Sequence, residues 1–135
     1  MTTDPKTGFV LSVAHSPFHR LLGLELVRAG AGDVEMRLPW REEFGRSGSD
    51  WYHGGVLSAL IDIAGDYAIA SKLRRWVATI DLRVDYLRPA TRGDLTAVAR
   101  AVKIGRTVAV ADVELRDQRG AVVAVERGAY STSAG

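Results

Sequence analysis

Two carboxylates inside an otherwise apolar run are the residues of this chain best suited to chemistry. Asp62 and Asp66 stand four apart in GGVLSALIDIAGDYAIASKL, residues 54–73. Four residues apart on a helix they share one face, where like charges mildly destabilise it. Burying an ionised carboxylate costs several kcal/mol unless it is paired or hydrogen-bonded, and that cost is tolerated mostly at functional sites. Asp62 lies between Ile61 and Ile63 and is the first candidate; Asp66 could instead face solvent beside a subunit boundary. Immediately before the run stands His53-Gly54-Gly55. Two glycines at a helix start leave the first backbone N–H groups unshielded, at the positive end of the helix dipole. Donors of that kind hold the oxyanion of an acyl-transfer intermediate. The predicted chemistry is therefore acyl transfer, with a carboxylate as base or nucleophile.

The spacing adds a constraint. On one helix, His53 and Asp62 lie about 13 Å apart at 1.5 Å per residue, too far to act on one atom. A two-fold dimer with antiparallel helices brings Gly54 of one chain near Asp62 of the other, so the site is expected to be shared.

The elements that must position these residues follow from pattern. Ser16-Pro17 opens a short helix to Leu22, stopped by Gly23. Residues 24–29 and 34–40 read as strands around the turn Gly30–Asp33. A polar loop, 41–52, precedes the long helix 54–73, which carries Lys72, Arg74 and Arg75 at its end. Residues 77–87, 95–104, 107–116 and 122–131 alternate in Val, Thr and Ala and are joined by short turns, including one at Gly105. The class is α+β, one antiparallel sheet wrapped around one long helix. That helix is apolar nearly all round, so a second subunit is expected to cover what one sheet cannot. The division is an amino-terminal loose arm, 1–16, a single domain, 17–132, and a tail, 133–135.

The run HGGVLSALIDIAGDYAIA resembles the signature of the PaaI-like branch of the hotdog-fold thioesterases. There His-Gly-Gly opens the central helix and an acidic residue follows nine positions after the histidine. The strand Thr79–Pro89 and the hairpin Lys103–Thr107 are similar to later parts of that family, and the likeness spans about residues 20–132. The resemblance implies a hotdog fold joined side by side into a homodimer, often a dimer of dimers, that hydrolyses acyl-CoA at the interface. By position, Asp62 matches the catalytic base or nucleophile, and Gly54, with Gly55 beside it, the donor to the thioester oxygen. His53 shapes that loop and Thr79 helps place the water. Tyr86, Lys103, Gly105, Arg106 and Thr107 fall where substrate or coenzyme A is contacted, with Lys103 and Arg106 on phosphate. Many members carry asparagine six residues before the histidine and glycine three before it; here Ser47 and Asp50 stand there.

Trp51 and Tyr52, beside His53, could line an acyl pocket, although packing is the plainer role. The acyl group expected is aromatic or medium-chain. Two other readings stay open: a non-catalytic acyl-CoA binding module, which would need no buried acid, and a hotdog dehydratase, whose His precedes a Pro-Gly turn missing here. Composition narrows the field further. The chain has no cysteine, which excludes disulfides, thiolate metal sites and a cysteine nucleophile. Its 15 Arg and 3 Lys interleave with 16 acidic residues for a net charge of +2, so no basic face for nucleic acid is expected. His15 and His19 lack further ligands, so neither a metal nor another cofactor is expected. The amino-terminal apolar run is short and wrongly flanked for a secretory signal, and no run is long enough for a membrane span; a cytoplasmic protein is expected.

Overall fold

A computed structural model describes residues 9–14 and 16–133. In chain order the elements are α1 (Pro17–Leu22), β1 (Glu25–Ala29), β2 (Asp33–Leu38), a single 3₁₀ turn (Glu42–Phe44), α2 (Gly54–Leu73), β3 (Ala78–Tyr86), β4 (Leu95–Ile104), β5 (Val108–Arg116) and β6 (Val122–Ser131). The strands form one antiparallel sheet in the order β1-β2-β4-β5-β6-β3, with α2 against its concave face. The expected α+β architecture is the one present, with strand ends trimmed by a residue or two. The 3₁₀ turn in the 41–52 loop is an addition.

Local chemistry explains the boundaries. Pro17 opens α1, and Gly23 closes it at φ 74°, returning its N–H to the His19 and Arg20 carbonyls. Ser16 sits at the N-cap position, but its hydroxyl makes no capping bond, so proline alone starts this helix. In the β1–β2 hairpin Gly32 takes φ 105°, where a side chain would be strained. Along β4 and β5 the helix-facing positions include Ala97, Ala99, Ala109 and Ala111, whose short side chains let α2 lie close. The opposite face carries cross-strand charge pairs, such as Arg127 Nε to Asp112 Oδ1 at 2.7 Å.

Leu60, Ile61, Ala64, Ala68 and Ile69 of α2 are fully buried within the one chain. Burying a large aliphatic side chain stabilises by roughly 1.5–3 kcal/mol, so this helix is the centre of the core. The amino-terminal segment covers part of its outer side. Leu11 and Leu22 are buried in the same cluster, Phe9 and Val13 pack on it, and the Tyr67 hydroxyl donates to the Ser12 carbonyl at 2.8 Å. Two expectations are corrected here. Residues 9–14 are a packed strap rather than a loose arm, and the all-round apolar character of α2 requires no second subunit. His15 lies outside the described residues.

Coverage by α2 is uneven. It lies chiefly over β2, β4 and β5, and much less over β3 and β6. β3 is an edge strand with Ile80 56% and Tyr86 53% exposed. A long exposed edge with unpaired backbone groups is a template for another strand.

Candidate active site

At the start of α2 the His53 imidazole folds back as the N-cap, its Nδ1 accepting the Gly55 N–H at 2.9 Å. An accepting Nδ1 leaves the ring proton on Nε2. A Cβ at position 55 would sit 3.1 Å from that Nδ1, so glycine there permits the cap. Gly55 is thereby corrected as an oxyanion donor, because its N–H is already spent on His53. Gly54 keeps its N–H without an acceptor among the described residues. Nothing in the chain itself demands glycine at 54: a Cβ there would meet only the Tyr86 ring, at 3.7 Å. The Tyr86 hydroxyl donates to the Gly54 carbonyl at 3.2 Å, which ties the helix start to the far end of β3.

Two turns further along, Asp62 projects over the β3 edge. The Thr79 hydroxyl donates to Asp62 Oδ1 at 2.5 Å and fixes the carboxylate rotamer. Asp62 also forms part of a pocket of about 230 Å³ lined by His19, Ile63, Asp66, Tyr67 and Trp76. Asp66 is aimed into the protein rather than to solvent; its Oδ1 is buried without a partner. Burial, then the Asp62 charge, push its carboxyl up to about 7, against a backbone N–H bond from Val77. The Tyr67 hydroxyl has one proton and gives it to Ser12, so the His19 Nδ1, 3.1 Å away, donates to Tyr67. Burial lowers the His19 pKa, partly opposed by Asp62.

The residues singled out from the sequence thus fall into two groups. Asp62, Thr79 and Asp66 gather at one end of β3. The turn containing Lys103, Gly105, Arg106 and Thr107 lies near that end: Thr132 bonds both Gly105 and Thr107, and the adjacent Ser131 pairs with Val108 and Ala78. His53, Gly54, Gly55 and Tyr86 gather at the opposite end, where Trp51 and Tyr52 help line a groove with Arg46 and Arg88. Tyr52 is mainly core: it is 3% exposed, packs edge-on against Trp40, and donates to the Gly93 carbonyl. Ser47 is exposed in the loop before it. Asp50, which would repel an anionic ligand if it faced inward, is held by Arg92 at 3.2 Å, and Arg92 also binds Glu42.

Several residues of this region escaped the sequence reading. Arg46 and Arg88 gave no spacing signal. His19 and Trp76 lie far from Asp62 along the chain and meet it only through packing. The pairing of Glu126 with Tyr130 on β6 was hidden in an alternating strand.

Comparison with known proteins fits this geometry. Residues 52–124 match the family described as "Thioesterase superfamily". The medium/long-chain acyl-CoA thioesterase YigI of Salmonella typhimurium is 34% identical over an alignment of 134 positions, gaps included, that covers 87% of this chain and 86% of that protein. Among solved structures, a thioesterase from Haemophilus influenzae superposes with a TM-score of 0.80 at 26% identity, covering 88% of this chain and 84% of that one. The PaaI protein of the Escherichia coli phenylacetic acid degradation operon superposes at 0.78 and 26% identity, covering 87% and 85%. The chain belongs to the thioesterase superfamily and has its six-stranded hotdog architecture. Its reaction class is thioester hydrolysis.

Proposed function

We propose that this protein hydrolyses acyl-CoA thioesters with medium-chain or aromatic acyl groups, at sites shared by the two chains of a homodimer. The observation that carries the reading is Asp62, held by Thr79, on the wall of a pocket otherwise formed largely by Ile63, Tyr67, Trp76 and His19. A base beside a cleft walled in part by Ile63, Tyr67 and Trp76 suits water attack on a carbonyl whose acyl tail lies along those side chains. The relationship to YigI, named for medium- and long-chain acyl-CoA, supports the substrate class.

The second chain follows from distance. Gly54 and Asp62 are about 12 Å apart along α2, so one chain cannot bring both to one carbonyl. β3 carries Thr79 at the Asp62 end and Tyr86 at the Gly54 end. Antiparallel pairing of two β3 edges about Leu82–Arg83 lays Thr79 of each copy opposite Tyr86 of the other, and with them base opposite donor. In the proposed reaction the thioester oxygen accepts the Gly54 N–H. Asp62 of the other copy takes a proton from water as its oxygen attacks the carbonyl carbon. The tetrahedral oxyanion collapses, the C–S bond breaks, and the thiolate takes up the proton. Arg46 and Arg88 beside Gly54, or Lys103 and Arg106 on the β4–β5 turn, supply guanidinium and ammonium groups for the coenzyme A phosphates. The reaction uses side chains, backbone and water alone.

Thiol release from a panel of straight-chain and aromatic acyl-CoAs tests this, with Asp62→Ala alongside. The protein has no cysteine, so a thiol-reactive dye sees only liberated coenzyme A. Turnover that vanishes in the variant supports the assignment; binding without turnover would make the chain an acyl-CoA binding module instead.

A further inference from the structure

Glu126 is a carboxyl that the reaction above does not use. It lies on the concave face of β6, 4% exposed, on the same side as Ala124, Gly128 and Tyr130. Its Oε1 is buried without a partner, and its Oε2 stands 3.5 Å from the Tyr130 hydroxyl. That hydroxyl is 3.4 Å from the main-chain carbonyl of Asp62. Space for this arrangement is left by two glycines. A Cβ at Gly65 would fall 2.2 Å from the Tyr130 hydroxyl oxygen, and one at Gly128 would fall 2.7 Å from Glu126 Oε1. Tyr130 is itself fully buried and cannot step aside.

A phenol carries a single proton. If Tyr130 gives it to the Asp62 carbonyl, Glu126 must bring its own proton to bond Tyr130. If Glu126 is ionised, it draws the Tyr130 proton to itself and α2 loses that donor. The groups facing Glu126 favour the first arrangement. They are Asp62 on α2 and Tyr130 on its own strand; Asp112, on the far face of β5, acts on it only through the sheet, and no cation is among the groups that shift it. Burial first, then the Asp62 charge, push its carboxyl up to about 8.

We propose that Glu126 is a positioning residue for the thioesterase reaction. Its neutral carboxyl donates to Tyr130, Tyr130 donates to the Asp62 carbonyl, and this chain fixes the helix turn that presents the Asp62 carboxylate. The proposal rests on Asp62 being the base. Ionisation of Glu126 reverses the Tyr130 bond and releases that turn, so turnover falls on the alkaline side.

Two measurements test it. The first is the pH profile of kcat and KM for wild type, Glu126→Ala, Glu126→Gln and Tyr130→Phe. Loss of one neutral hydrogen bond from the chain lowers kcat about three- to tenfold in Glu126→Ala and Tyr130→Phe, with KM unchanged. Glu126→Gln, neutral at every pH and still a donor, recovers most of the loss and removes the alkaline fall. An alkaline fall that persists in Glu126→Gln, or an equal deficit in Gln and Ala, overturns the proposal. The second is a ¹³C NMR titration of wild type labelled at glutamate carboxyls, with Glu126→Gln for assignment. One glutamate should titrate near pH 8; all of them titrating in the ordinary acid range overturns the proposal whatever the variants do. The titration needs no turnover, so failure of the acyl-CoA reading and failure of the Glu126 reading are told apart.

Discussion

Replacing Thr79 by valine removes a single hydroxyl at nearly constant volume, and that hydroxyl is the one bonded to Asp62 Oδ1 at 2.5 Å. A hydrogen bond to a charged group contributes roughly 1.5–3 kcal/mol, and each 1.36 kcal/mol in the barrier is about tenfold in rate. If the bond holds the carboxylate in the attacking rotamer, Thr79→Val should lose about 10- to 150-fold in kcat. The range itself is informative. Thr79 is exposed in the isolated chain, where water would substitute for the lost hydroxyl and keep the loss below about tenfold. Closure by a second β3 edge excludes that water and moves the loss to the upper part of the range. The assay is thiol release at saturating acyl-CoA, with Thr79→Ser as the restoring variant. A Thr79→Val enzyme within about twofold of wild type, or a serine variant no better than valine, refutes the reasoning.

Three further outcomes follow from the geometry. Gly65→Ala gains about 1 kcal/mol of helix propensity but forces a methyl to 2.2 Å from the buried Tyr130 hydroxyl; overpacking costs about 1–3 kcal/mol. Net destabilisation by chemical denaturation is expected, with partial recovery in Gly65→Ala/Tyr130→Phe, and a variant as stable as wild type would contradict the contact. Asp66, pushed up to about 7, keeps its proton in the folded chain while the unfolded chain releases it from about pH 4. Its share of stability is therefore full below about pH 4 and lost as pH rises to 7, and Asp66→Asn should flatten the fall in denaturation midpoint across that window; an unchanged slope counts against it. Trp76→Phe enlarges the pocket beside Asp62 and should raise the ratio of kcat/KM for longer over shorter acyl groups by about tenfold; an unchanged ratio would place the acyl group elsewhere.

The helix and strands were legible because their periods and punctuation are local: proline at 17, glycine at 23, and the alternation after 95 each act within a few residues. His53, Gly54 and Asp62 were legible for a similar reason, since one helix carries all three. Other features depend on contacts remote in sequence. The all-round apolar surface of α2 says it is covered, but it does not distinguish a strap from a partner, and the strap supplies cover from within the chain. In the strand VVAVERGAYS both faces mix apolar and polar residues, so alternation could not assign Glu126 to the inside. Gly55 looked like a free donor because no pattern reports that an imidazole two residues earlier would turn back and occupy it.

The strap also has an evolutionary consequence. His19 and Trp76, which wall the pocket, lie outside the helix that bears Asp62 and Gly54, and the segment 9–14 closes over them from further still. Under the proposed function, part of the acyl cleft is thereby written outside α2, while Ile63 and Tyr67 keep the rest on the helix of Asp62. Substitutions in the strap, in α1 or at the α2–β3 junction can resize the cleft while the donor, the base and their spacing stay fixed. A lineage built on this arrangement can change its diet without relearning how to cut.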